Sequence, residues 1–222
     1  MAKTSSIVRK LVMALTGFFL MFFLLQHLSI NMLSIISPDV FNEVSQFMGT
    51  NPAVQFAMQP ILIFSVIFHF VWGMKLELEN RKARPVKYAI NKGSANSTWM
   101  SRNMIISGVT VLLFLAMHFY DFWIPEIQTK FINGDWTGMH NGELRFYEEL
   151  VHKFQDPIRV VLYVLSFIAL ALHLLHGFQS SFQTVGFNHN KYTPLIKKIG
   201  NAYAILIPLG FAFVAIFHFI AH

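Results

Sequence analysis

The chain has 222 residues, 55% of them hydrophobic, with 24 phenylalanines and a mean hydropathy of +0.50. Charged residues make up only 13%, against roughly 25% in soluble domains, which points to an integral membrane protein. The lack of any cysteine excludes cysteine-ligated iron–sulfur clusters, thioether-attached haem and disulfides, so a redox group must be held by histidine or methionine, or without a covalent link.

In chain order, Lys3, Arg9 and Lys10 precede a first apolar stretch at about 11–33, which contains His27. It is long enough to span and lacks a small-x-small end, so it predicts a transmembrane helix rather than a cleaved leader. Residues 38–56, with Pro38 and Gly49-Thr50-Asn51-Pro52, read as a loop. A second apolar stretch, about 57–74, carries His69, and its helix is drawn to 80. A basic connection follows, with Lys75, Arg81, Lys82, Arg84, Lys87, Lys92 and Arg102, suited to lipid head groups or an acidic partner. The third stretch, 103–124, carries His118. The polar interruption at about 125–156 has turn signals at Asn133-Gly134-Asp135 and Thr137-Gly138, and a candidate surface amphipathic helix at 143–155. The fourth stretch, 158–178 in a helix drawn to 180, holds His173 and His176. The fifth, 202–221 in a helix drawn from 200, holds His218. The predicted fold is an all-α membrane bundle of five transmembrane helices in a single domain, 1–222, with spans at about 11–33, 57–80, 103–124, 158–180 and 200–221.

The basic residues set the orientation. Thirteen of the 17 fall on the side that holds the N-terminus, while Lys130, Arg145, Lys153 and Arg159 share the other side with nine of the eleven acids. The positive-inside rule then predicts a cytoplasmic N-terminus and an external C-terminus, and it accounts for the net charge of +6 without nucleic acid.

Ionisable residues inside a bilayer are costly and mark function by default. Counting from the nearest basic anchor at the helical rise, His27 and His118 lie ~25 Å and ~24 Å from the inner edge. His69 lies only ~9 Å from that edge, and His173 or its neighbour His176 is also in the inner half. The depths predict an outer pair, His27 with His118, and an inner pair, His69 with His173 (or His176), ~15 Å apart along the normal. Paired neutral imidazoles saturate a haem iron and favour electron transfer over oxygen binding, so two b-type haems are predicted. Phe18, Phe68, Phe70, Phe114 and Phe119 suit an apolar porphyrin wall. Arg9, Lys10, Lys75 and Arg102 are candidate partners for inner propionates, and Asn31 and Ser34 for outer ones. His218 has no partner at its depth and reads as packing, while His140, His152, His189 and His222 read as solvated.

A weak internal repeat accompanies the histidines. Gly17 and Gly108 each stand ten residues before a histidine, and Gly73 and Gly177 each stand four after one. Glycines at these positions permit close helix crossing, or clear room for a flat porphyrin.

The ordered set of short motifs resembles a known family. Arg9-Lys10-Leu11 with Leu25-Gln26-His27-Leu28, Ile67-Phe68-His69 with Gly73, and Ser107-Gly108-Val109 with His118 are similar to the cytochrome b subunit of succinate dehydrogenase or fumarate reductase (respiratory complex II). So is His173-Leu174-Leu175-His176-Gly177 running on to Phe182 and Val185-Gly186. The resemblance is to the single-subunit, five-helix, di-haem type. It implies that helices one and three ligate the distal haem and helices two and four the proximal one, with His173 rather than His176 as the fourth-helix ligand. It further implies flavoprotein and iron–sulfur partner subunits on the cytoplasmic face of a bacterial inner membrane. Electrons would pass to a quinone, usually menaquinone in di-haem members. Gln26, Asn31 and Glu43 are candidate quinone contacts. Some fumarate reductases carry a glutamate two residues before the fourth-helix histidine. Ala171 occupies that position here, which favours succinate oxidation. The alternatives are a cytochrome b anchor of hydrogenase or formate dehydrogenase type, or a haem-free histidine proton relay.

Overall fold

The computed structural model describes residues 6–82 and 103–222. Much of the basic second connection, including Arg84, Lys87, Lys92 and Arg102, lies outside the described residues, as does Lys3.

The described chain is mostly helical, with one small hairpin and short connections. Its helices are α1 (Ser6–Ile36), α2 (Pro38–Thr50), α3 (Gln59–Lys82), α4 (Met104–His118), α5 (Ile124–Ile127), α6 (Phe146–Phe154), α7 (Pro157–Thr184) and α8 (Thr193–Ala221). Three wide π-helical turns, Val54–Met58, Phe119–Trp123 and Gln128–Ile132, lengthen the second and third spans. Five segments are long and apolar enough to cross a membrane: Ile7–Ile36, Val54–Glu79, Met104–Ile132, Pro157–Thr184 and Thr193–Ala221. The protein is a multi-pass helical membrane bundle.

Residue contacts fix the packing. Arg9 meets Glu79 and a carbon added to Gly73 would touch Met13, so α1 and α3 run antiparallel. Tyr203 donates to the Met21 carbonyl and Ser34 bonds His218, so α1 and α8 run parallel. The central helix is α7, which packs on α8, α4 and α1. Its buried Val160, Tyr163, Phe167, Leu170, Leu174 and Phe178 recur at three- and four-residue steps, which puts them on one face. The facing stripe on α8 includes Gly200, Ala204, Ile207, Phe211, Ala215 and His218. By contrast α3 buries only Ser65 among its described side chains, and Ile61, Phe64, Ile67 and Val71 are exposed. In hydrocarbon such a surface carries no penalty, because lipid tails are as apolar as these side chains.

The segment 38–56, expected as a loop, is largely helical. Ser37 caps α2 by accepting from the Val40 N–H at 3.4 Å, Pro38 opens its first turn, and Asp39 lies beside the positive N-terminus. Asn42 ties it to α6, accepting from the Tyr147 N–H at 2.8 Å and donating to the Leu144 carbonyl at 3.1 Å. The third helix also runs beyond the expected 124, to Ile132. The expected amphipathic segment 143–155 is α6 preceded by a two-residue strand, Glu143–Leu144, which pairs with Met139–His140 around Asn141-Gly142. Both turn residues have positive φ, 53° and 89°, as a tight hairpin turn requires. In the preceding turn Thr137 donates through its hydroxyl and its N–H to Asp135, which holds that carboxyl below the usual range.

Candidate haem-ligating histidine pairs

The structure brings the four intramembrane histidines together two by two. His27 of α1 and His118 of α4 have ring centroids 5.8 Å apart. His69 of α3 and His173 of α7 are 6.2 Å apart. His173, not His176, faces His69. Two imidazoles bound across one metal atom, each at about 2 Å, put their centroids about 6 Å apart, so both pairs have the span that axial ligation needs.

The glycines explain how two pairs coexist. A side-chain carbon at Gly17 would lie 3.8 Å from His69 Cε1, and one at Gly108 would lie 3.5 Å from His173 Cε1. Each helix that carries an outer histidine therefore presents a glycine to the inner pair. Ten residues of helix then separate the two levels, about 15 Å on α1 and on α4 alike. Gly73 and Gly177 face methionines of those same helices, Met13 and Met104, at 3.0 and 3.7 Å.

The surroundings are aromatic and apolar. Phe23 stacks on His27 and Phe114 on His118, at 5.3 and 5.7 Å. Phe211, Phe119, Phe122 and Tyr163 also lie against the outer pair. At the inner level Phe18 meets Phe182 edge-on, and Phe68 stacks on Trp72 one turn from His69. Phe70 makes no ring contact among the described residues.

Several buried nitrogens here have no partner. His118 Nδ1, Trp72 Nε1 and Arg9 Nε are withdrawn from solvent with no hydrogen-bond partner among the described residues. Arg9 Nε is near the N-terminus of α1 and Trp72 Nε1 is in the C-terminal half of α3, where Lys75 lies 4.8 Å over the Trp72 ring. Donors in this position suit an anionic carboxylate, as haem propionates are. Lys10 is exposed nearby.

Other expected residues have different positions. Ser34 is committed to His218 at 2.8 Å and donates to the Asn31 carbonyl, so it does not face the outer pair as a free hydroxyl. Asn31 donates to the His27 carbonyl at 2.8 Å. Gln26 reaches only the Met48 sulfur at 4.0 Å, and Glu43 is exposed on α2. No hydrogen bond or ring contact joins Gln26, Asn31 and Glu43 among the described residues. His218 is fully buried, in a packing role, while His222, expected to be solvated, stacks on it and bonds the Tyr147 hydroxyl at 3.2 Å. His140, His152 and His189 are exposed.

The sequence reading missed a charged cluster beside the outer pair. Asp121, on the π turn after His118, is buried against α7, where it accepts from the Tyr163 hydroxyl at 3.0 Å and pairs with Arg159 at 3.0 Å. The signal available was an acid one turn beyond an intramembrane histidine.

Comparison with known proteins agrees with this architecture. Over 202 residues, 89% of each chain, the sequence is 22% identical to the succinate dehydrogenase cytochrome b558 subunit of Bacillus subtilis (strain 168). No solved structure matches the chain. Residues 79–217, more than half of the sequence, match the family model for succinate dehydrogenase/fumarate reductase transmembrane subunits, and the chain belongs to that family.

Proposed function

We propose that this chain is the di-haem cytochrome b anchor of a succinate dehydrogenase, carrying electrons from an iron–sulfur subunit to a quinone. The observation that carries the reading is the pairing of four intramembrane histidines at two levels, each pair spaced for one metal atom. His69 and His173 hold the inner haem b, and His27 and His118 the outer one. Bound haem supplies a reversible one-electron iron centre at each level. The chain contributes axial nitrogens, aromatic walls that exclude water, and cationic or N–H donors at the inner edge for propionates. Arg9, Lys75 and Trp72 are the residues for that last task.

The partners follow from the family and the charge. The flavoprotein and iron–sulfur subunits sit on the basic face, which is cytoplasmic in a bacterial inner membrane, and the whole chain acts as one domain. Dicarboxylate chemistry belongs to those partners, since this chain has neither cysteines for clusters nor a flavin fold. The quinone, menaquinone in this reading, takes electrons at the outer level, in the direction of succinate oxidation that Ala171 favours.

Purified in detergent after haem-replete expression, the chain is expected to bind two b-type haems per polypeptide. His27→Ala should remove one and His69→Ala the other, read from the reduced-minus-oxidised spectrum. A haem-free wild type would sink the electron-transfer reading and favour a histidine proton relay.

A further inference from the structure

The internal repeat extends further than its glycines. Met13, Thr16, Gly17, Phe23 and His27 on α1 correspond, at identical spacing, to Met104, Ser107, Gly108, Phe114 and His118 on α4. The hydroxyl position is conserved in kind between the two copies, threonine in one and serine in the other. Its geometry is also the same in both. Thr16 Oγ1 donates to the Met13 carbonyl at 2.9 Å, and Ser107 Oγ to the Met104 carbonyl at 2.9 Å. Each hydroxyl also lies close to an imidazole of a neighbouring helix: Thr16 Oγ1 is 3.4 Å from His69 Nδ1, and Ser107 Oγ is 3.5 Å from His173 Nδ1.

The tautomer follows from the inventory of hydrogens. A hydroxyl has one proton and two lone pairs, and here the proton is spent on the carbonyl three residues back. Toward the ring it can only accept. A ring nitrogen bonded to such an acceptor carries the proton, so this arrangement matches the Nδ1–H tautomer at His69 and at His173, where the Met104 carbonyl is a second acceptor, and that tautomer leaves Nε2 bare. That is the form a metal ligand requires, with the second nitrogen anchored by an outer hydrogen bond.

The outer pair has no such anchor. The group beside His27 Nδ1 is the Asn31 amide nitrogen at 3.5 Å, which gives one N–H to the His27 carbonyl and, having only donors, cannot accept from the ring. His118 Nδ1 is buried without a partner. Both repeats therefore direct their hydroxyl to the inner level.

We propose that Thr16 and Ser107 are positioning residues that lock His69 and His173 as Nδ1–H tautomers, which makes the inner site the rigidly preorganised one of the two. The proposal rests on the haem reading above. Losing such an outer hydrogen bond weakens metal-site affinity by about 10–100-fold.

The test uses the haem-loaded chain with the double substitution Thr16→Val, Ser107→Ala, and as a control the exchange Thr16→Ser, Ser107→Thr. Two readouts are independent of activity: the ferric low-spin resonances, and the rate of haem transfer to an apoprotein acceptor. The inner resonance is the one missing in His69→Ala. In the hydroxyl-free variant that resonance should shift and inner haem should leave about 10–100-fold faster, with the outer signal unchanged. The exchange variant should behave as wild type. Unchanged inner signal and transfer rate, or equal disturbance of both sites, would overturn the proposal. A wild type without haem would instead defeat the parent reading. The imidazole nitrogen shifts of the haem-free chain then decide the tautomers, with Nδ1–H at His69 and His173 lost in the hydroxyl-free variant if the proposal holds and absent from the wild type if it does not.

Discussion

Asp121 shows what a single charge costs in this bundle. Its side chain is wholly withdrawn from solvent, and one oxygen receives both Arg159 and the Tyr163 hydroxyl while the other has no partner. Asp121→Ala leaves the buried Tyr163 hydroxyl without its acceptor, while Arg159 keeps Asp156 at 3.7 Å, so the loss is about 1–3 kcal/mol. The variant is therefore expected to lower the thermal unfolding midpoint in detergent, and Asp121→Ala with Tyr163→Phe to recover part of the loss. A single variant that melts with wild type would show the pair to be energetically silent. In the sequence Asp121 stands three residues before the end of the third apolar stretch, and Arg159 falls on the predicted external side. Their meeting joins two helices and needed the fold.

At the scale of elements, the seam between α7 and α8 organises the molecule. A side-chain carbon at Gly200 would sit 2.6 Å from the Phe178 ring, so this glycine is required by close approach. Gly200→Ala must displace the ring, and overpacking of this kind costs about 1–3 kcal/mol. Faster heat inactivation with haem content retained is the expected outcome, and unchanged stability would mean the ring moves freely. The apolar stretches marked all five spans, because a hydrocarbon core demands runs of that length. They did not mark α2, whose helix signals are a serine cap and a proline at the first turn rather than an apolar run. The π turns after His118 also had no periodic signature. Residues after Ile124 read as loop because Pro125, Glu126 and Lys130 interrupt the apolar pattern. The structure satisfies the charges locally, with Lys130 bonded to Glu126 at 2.6 Å and Arg145 bridging Glu126 and Glu149.

At the scale of the whole molecule, the charge distribution predicts a cytoplasmic N-terminus. With no native cysteine, single substitutions label cleanly. His140→Cys, on the predicted external hairpin, should react with a membrane-impermeant maleimide in intact cells, and His189→Cys only after lysis. The reverse pattern would invert the proposed orientation.

Sequence by itself determined the class of protein, the number of spans and the residues worth pairing. These depend on hydropathy, anchor charge and a constant rise per residue, which act along one helix at a time. Depth along the normal placed the histidines in two levels, but depth cannot say which side of a helix a residue faces. The resemblance already pointed to His173 rather than His176, and the structure turns it toward His69; only the tertiary structure decided that Ser34 is taken by His218, and that Gly17 and Gly108 serve the inner pair. Those facts depend on helix rotation and crossing. Side-chain packing between distant segments sets both, and no local pattern encodes them.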